Sequence, residues 1–377
     1  MRLFSLAGLL VAGLPFAASA DMALNDSNTW RATLETRLRA ETDMDAIDAK
    51  GLDVQDRTRL RMRALLGLKY LPNEVWMVEG RLRSGAKEGH QSSHVTIHDF
   101  DEGPEGETDV DVDKLYIGAK EKGWWAWAGR NIFPFADTDI ALWDSDATLP
   151  GVTGGFKTSV SEQGSITGMA GVFALPVGMR DFSGSLAGAE GAYIHDFGNV
   201  DVTLGGGLIG FMADDSDPDG SRLPNRSGRR DYTILTARAK AEWKWQELPM
   251  KAGVLLFHNA EDYDDASDAF ALAHRDERDG AHLHFQIGSN KKKGEWLVAY
   301  HYAYIETLAI NAYYAPDDWQ RWGSGAYADG SDVSGHQFHV GYAFTDGFNA
   351  LARVFLAEGI DSRRESTRIR LDLNYTF

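Results

Sequence analysis

Arg57, Arg59, Arg61 and Arg63 occupy every second position of one short segment. In an extended chain that spacing puts all four guanidinium groups on one face. Four like charges so close repel, and they need water, counter-ions or carboxylates beside them. A dry core is excluded, because burying several unpaired guanidinium groups costs more than folding supplies. The chemistry open to such a face is the binding or screening of anions. Arg37 and Arg39 precede it, Arg81 and Arg83 follow it, and Arg368 and Arg370 stand near the C-terminus, each pair again two residues apart.

Carboxylates are the opposing resource. Asp137, Asp139, Asp144 and Asp146 fall within 131–154. Asp215, Asp217 and Asp219, followed by Gly220, match the first half of a Ca²⁺ loop. The twelfth position is Arg226 where a bidentate Glu is needed, so this is a weak candidate and no metal site is expected. His90, His94 and His98 lie in a loop without helical periodicity and are not expected to hold a metal. The absence of cysteine excludes disulfides, thiolate metal sites and Cys nucleophiles. With no Gly-x-Ser-x-Gly elbow and no isolated Ser-His pair, no catalytic residue is assigned, and neither an enzyme nor a cofactor is expected. A net charge of −18 leaves no basic surplus for phosphates, so nucleic acid is not expected as a partner.

The elements that position these residues are strands. In 367–377, Ile369, Leu371, Leu373, Tyr375 and Phe377 share one face, and Arg368, Arg370, Asp372 and Asn374 share the other. Segments 55–70 and 30–41 alternate in the same way, where a helix would repeat its apolar residues at three and four. Residues 1–20 read as a secretory signal, with Arg2, a short apolar stretch, Pro15 and the small-x-small end Ala18-Ser19-Ala20. Cleavage there would start the mature chain at Asp21. No later stretch reaches the roughly 18 apolar residues of a membrane-spanning helix.

Short turns and long polar connections take strict turns. The short ones lie near 71–74, 121–123, 162–164, 197–199, 245–249, 290–294 and 345–347. The long ones lie near 42–55, 86–109, 131–154, 177–184, 213–230, 260–279, 306–334 and 359–366. Seven short and eight long connections give about sixteen strands with both termini on the short-turn side. Tyr70, Trp76, Trp125, Trp127, Trp243, Trp296 and Phe344 lie close to short turns, and parity points most of them to the apolar face. That is the pattern of an aromatic girdle at a membrane interface. The expectation is an all-β fold: one transmembrane antiparallel β-barrel over 21–377, with short periplasmic turns and long external loops.

The chain resembles Gram-negative outer-membrane porins of the sixteen-strand type, most closely the "putative porin" families. The resemblance rests on the architecture and on two local matches. One is Arg370-Leu371-Asp372-Leu373-Asn374-Tyr375-Thr376-Phe377. The other is Ala128-Gly129-Arg130-Asn131-Ile132-Phe133-Pro134-Phe135, a strand running into a long loop. In general porins the third external loop folds into the barrel, which implies 131–154 as constriction loop. The Pro-Glu-Phe-Gly-Gly motif of some such loops is absent, so the sequence leaves the inward fold open. The resemblance implies the outer membrane as location, a homotrimer, and lipid and lipopolysaccharide as neighbours.

Strand parity places Arg37, Arg39, Arg57, Arg59, Arg61, Arg63, Arg81, Arg83, Arg368 and Arg370 on one lumen wall, read as net positive and facing the loop aspartates. Arg229 and Arg230 are assigned to a loop rim. The function expected is a water-filled channel for passive diffusion of small hydrophilic solutes, with a weak preference for anions. The alternative is a channel dedicated to an acidic oligo- or polysaccharide or another specific anion, as in alginate-export barrels.

Overall fold

The computed structural model describes residues 21–86, 92–101, 103, 106, 109–135, 141–214, 216–218, 229–319 and 330–377. The candidate signal, His90, Asp137, Asp139, Asp215 and Asp219 lie outside the described residues. Sixteen long strands form the wall. They begin with β1 (Trp30–Ile47), β2 (Arg57–Tyr70), β3 (Trp76–Ser84) and β4 (Val110–Glu121). Next come β5 (Trp124–Ile132), β6 (Thr148–Ser159), β7 (Gly164–Pro176) and β8 (Phe182–Asp196). Then follow β9 (Val200–Met212), β10 (Tyr232–Trp245), β11 (Leu248–Asn259) and β12 (Asp279–Gly288). The last are β13 (Trp296–Ile305), β14 (Val333–Thr345), β15 (Phe348–Glu358) and β16 (Glu365–Thr376).

Each strand pairs antiparallel with the next, and β16 closes on β1 with Leu371 opposite Ala40 and Leu373 opposite Leu38. Closure joins the first and last wall strands edge to edge, which a strand-built membrane protein requires. β3 is shorter than its neighbour, and the segment Val95–Asp99 takes up pairing with the upper part of β2.

Short and long connections alternate as the sequence predicts. In the β10–β11 turn Gln246 (φ 48°) and Glu247 (φ 69°) both adopt the left-handed region of a two-residue hairpin. Gly123 (φ 89°) serves the same purpose between β4 and β5. The outer surface is an apolar band: Leu66, Leu115, Val172, Leu204, Leu256, Val298 and Leu371 are all exposed. A water-soluble protein does not display such a surface, whereas bilayer hydrocarbon requires it. Trp76, Trp124, Trp245, Trp296 and Phe344 are exposed beside the short turns and form the girdle. Trp125 and Trp127 depart from that expectation. Their side chains point into the barrel, 5% and 2% exposed, and Trp127 packs with Tyr116 and Phe173.

Candidate functional site

The site starts from register. β16, β1 and β2 bring Arg370 opposite Glu41, Asp372 opposite Arg39, Glu41 opposite Arg59, Arg39 opposite Arg61, and Arg37 opposite Arg63. Acids and arginines therefore interleave on one inward face. Glu41, wholly buried, forms close ion pairs with Arg59 and Arg370 and a longer one with Arg61 at 3.4 Å. Asp372 holds Arg39 at 2.7 Å and Arg353 of β15 at 2.5 Å. Arg368 pairs with Asp43, Arg57 with Asp99 at 2.6 Å, and Arg81 with Asp113. Arg37 donates to the Asn374 side chain at 2.7 Å. A buried guanidinium is tolerated only with such partners.

The wall is thus a lattice of both signs, where arginine parity alone suggests a basic half-ring. Counting lumen acids from sequence underrated Asp43, Asp111 and Asp113, whose inward positions follow from the same alternation.

The third long connection turns inward. Phe135, Leu142, Trp143 and Ala147 are buried, and the Trp143 indole donates to the Ala147 carbonyl at 2.7 Å. Asp146 accepts from Arg63 at 3.0 Å, and its carbonyl accepts from Arg83 at 3.2 Å. The loop therefore rests on the arginine wall instead of facing it across open water. β6 begins at Thr148, so the connection is shorter than the predicted 131–154.

A second connection, 306–319, also folds inward, and sequence reasoning missed it. Leu308, Ile310, Tyr313, Tyr314 and Trp319 are buried. The signal lay in Leu308-Ala309-Ile310 and Tyr313-Tyr314, too apolar a content for a solvated loop. The two loops join each other. Trp143 stacks between Phe133 (4.5 Å) and Tyr314 (4.9 Å), and the Asp144 N–H donates to the Tyr314 carbonyl at 2.7 Å. Tyr313 donates to the Val177 carbonyl at 2.6 Å. On the wall side, Asp318 pairs with Arg370 and, at 3.4 Å, with Arg353, while Arg368 donates to the carbonyls of Asp317 and Asp318, both at 2.9 Å.

Between the wall and the two loops lies a cavity of about 230 Å³. Arg37, Arg39, Arg61, Arg63 and Arg353 line one side, and Asp144, Asp146, Asp317 and Asp318 the other, with His94, Gln337, His339 and Trp319 between. Burial pushes the Asp144 carboxyl well above the usual range, and nearby Asp146, Asp317 and Asp318 add to it. Burial acts upward on Asp146 too, but Arg63 and Arg83 hold that carboxyl below the usual range. Burial likewise opposes ionisation of Asp318, yet Arg370 and Arg353 hold it far down. Burial, aided by Arg39, Arg61 and Arg63, holds the His94 imidazole well below its usual range.

Of the predicted residues, Arg37, Arg39, Arg61, Arg63, Asp144 and Asp146 meet at this cavity. Arg57, Arg59, Arg81, Arg83, Arg368 and Arg370 sit on the same wall in ion pairs or hydrogen bonds outside the cavity lining. Asp217 lies in the β9–β10 connection and does not line it. Arg230 lies in the β9–β10 connection, buried, paired with Asp268 and stacked over Phe270 at 4.8 Å. His282, His284, His301 and His339 form a cluster of imidazoles on β12, β13 and β14, with His282 and His301 stacked at 5.4 Å.

A closed sixteen-stranded barrel with an apolar outer band, an aromatic girdle and loops folded into a charged lumen is an outer-membrane channel. The chain belongs to the "putative porin" family, whose model matches residues 23–211, and its place is the Gram-negative outer membrane. The barrel is similar to OprB of Pseudomonas putida, with TM-score 0.57, 9% identity, and 93% of this chain and 94% of that one covered. It is similar to OmpF of Salmonella typhi in complex with daunomycin, with TM-score 0.53, 11% identity and 95% and 100% covered. It is also similar to a BenF-like porin of Pseudomonas fluorescens, with TM-score 0.50, 11% identity and 92% and 98% covered. At these identities the likeness carries the fold. No curated protein matches the sequence.

Proposed function

We propose that the channel passes small hydrophilic solutes by passive diffusion through the cavity between the arginine wall and the two inward loops, with a weak preference for anions. One observation carries this reading: five arginines and four aspartates share the cavity lining, and Asp144 is the carboxylate least able to keep its charge there. The surplus is then positive but small. A positive constriction raises local anion concentration and lowers that of cations. The volume accommodates roughly eight waters at about 30 Å³ each, or one small organic anion. In planar bilayers under a salt gradient, the reversal potential should lie on the anion side and close to zero. A clear cation preference would overturn the reading.

A second reading, a channel dedicated to one acidic solute, gains support from His94 Nε2 and His339 Nε2. Both are buried without a hydrogen-bond partner among the described residues, and both residues line the cavity. Saturable block of conductance by a single small organic acid would favour it, whereas block by none supports simple diffusion.

The reading includes an export signal over 1–20 and a mature barrel over 21–377; N-terminal sequencing of membrane-isolated protein should begin at Asp21. It includes a homotrimer, which cross-linking in native membranes tests. It also includes lipid and lipopolysaccharide contact along the outer band and acidic external loops.

A further inference from the structure

Away from the pore, three external connections meet at one point. Helix α1 (Ala269–Ala273) in the β11–β12 connection is capped by the Asp268 side chain and ends at His274, whose N–H returns to the Phe270 and Ala271 carbonyls. The imidazole packs on Phe270 at 4.7 Å. Glu277 follows, its N–H on the His274 carbonyl at 2.9 Å and its own carbonyl accepting from Leu308 at 2.8 Å. From the β15–β16 connection comes Asp361, whose N–H is held by the Asp332 side chain at 2.8 Å. Backbone hydrogen bonds thus fix three residues from two loops beside the root of the inward segment 306–319.

We propose that His274, Glu277 and Asp361 form a binding site for a divalent transition-metal cation of the Zn²⁺, Ni²⁺ or Mn²⁺ class at the external mouth, clasping the 260–278 and 359–364 connections together. One ligand atom from each residue lies within 4.8 Å of the others. His274 Nδ1 is 2.8 Å from Glu277 Oε1 and 2.9 Å from Oε2, and a carboxylate oxygen of Asp361 lies within 4.8 Å of the ligand atoms of both. Ligand atoms around a tetrahedral ion at about 2.1 Å sit about 3.4 Å apart, so side-chain movement of about an ångström closes the set.

The charge balance points the same way. Two carboxylates this close repel unless a proton or a cation lies between them. No lysine or arginine pairs with either among the described residues. The nearby cations turn elsewhere: Arg275 to Asp264 at 3.1 Å and Arg278 to the Glu261 carbonyl at 2.6 Å. One imidazole with two carboxylates is a borderline ligand set, suited to those transition metals over Ca²⁺ or Mg²⁺, which take oxygen ligands alone.

The test is calorimetric titration of Zn²⁺ into the detergent-folded barrel, with heat-modifiable gel mobility confirming the fold of every variant. One ion per chain should bind. His274→Ala and Asp361→Asn should each weaken binding at least about tenfold, the scale on which lost coordination support acts. Asp262→Asn with Asp264→Asn, in the same loop but outside the cluster, should change nothing. Absence of a one-to-one binding event overturns the proposal. So does binding that survives His274→Ala, or that Ca²⁺ matches, since either result makes the loop a diffuse acidic surface.

Discussion

The barrel interior has two sectors with different chemistry. From β15 through β16 and β1 to β3 the inward residues are mainly arginines and acids, which interleave from strand to strand, with Phe355 and Leu65 among them. From β5 to β11 the inward residues toward the long connections are Trp127, Phe173, Leu186, Ile209, Phe211, Ile234, Leu255 and Phe257, all buried, while nearer the short turns Arg238 pairs with Glu190 and Glu242 with Lys240 and Lys251. The apolar sector cannot line a water-filled lumen, so it is covered by Phe135, Leu142 and Trp143 of one inward loop and Ile310, Tyr313 and Tyr314 of the other. The charged sector cannot be covered by apolar side chains, so the loops present Asp144, Asp146, Asp317 and Asp318 to it and leave the cavity there. The proposed path is therefore off-centre, between the inward loops and the charged sector.

If each sector is stabilised by its own chemistry, the largest effect belongs to the charged one. Glu41→Gln removes the carboxylate shared by Arg59, Arg61 and Arg370. Removing one partner of a buried ion pair costs about 3–5 kcal/mol, moderated here because Arg59 keeps Asp43 and Arg370 keeps Asp318. The folded, heat-modifiable band should be lost at lower urea than in the wild type. A wild-type midpoint would mean that solvent, not Glu41, compensates the arginines.

Trp143→Ala probes the apolar sector. The indole joins both loops through its stacks on Phe133 and Tyr314. Its loss costs about 3 kcal/mol locally, because the cavity it leaves is lined by rings that cannot collapse onto one another. The loops should loosen, and single-channel conductance should rise while the barrel stays folded. Unchanged conductance would place the narrow section elsewhere.

A smaller effect follows from Asp144. Its raised carboxyl range means that its contribution to stability is full below the ordinary carboxylate range and is lost as pH rises through the folded value. Asp146 has the opposite sign: its contribution is present above the ordinary range and is lost as pH falls through its depressed value. Lowering pH through the Asp144 step removes one negative charge from the cavity, so the reversal potential should move toward anions. Asp144→Asn should abolish that movement and stabilise the barrel near neutral pH.

Much of this architecture is legible in the sequence because its periods are simple. Alternation in 367–377 and the exchange of short turns with long connections give strand number, closure and orientation. The arginine side of the site is legible for the same reason, since a side chain's face follows from its parity. The loop packing is harder to read. Phe173, Leu186 and Ile209 have inward parity, but only the folded loops explain why a lumen face is apolar. The clue was continuous apolar runs such as Val254-Leu255-Leu256-Phe257, which mark a strand covered on both faces. Which arginines Glu41 and Asp372 pair with required register, which alternation alone does not supply.

The central claim is that solutes pass beside the arginine wall, whose small positive surplus sets selectivity. Its most direct test is the reversal potential under a potassium chloride gradient for Arg37→Gln with Arg63→Gln. These side chains line the cavity and remain partly accessible, 22% and 12% exposed. Arg180→Gln is the control, an arginine on the β7–β8 connection with its side chain 75% exposed. The wild type should show a weak anion preference. The double variant should shift toward cations, more strongly at low salt, where the screening length grows from about 10 Å at 0.1 M to about 30 Å at 0.01 M. The control should stay near the wild type. A correctly folded double variant with the wild-type reversal potential, or one that moves no further than the control, would contradict the account.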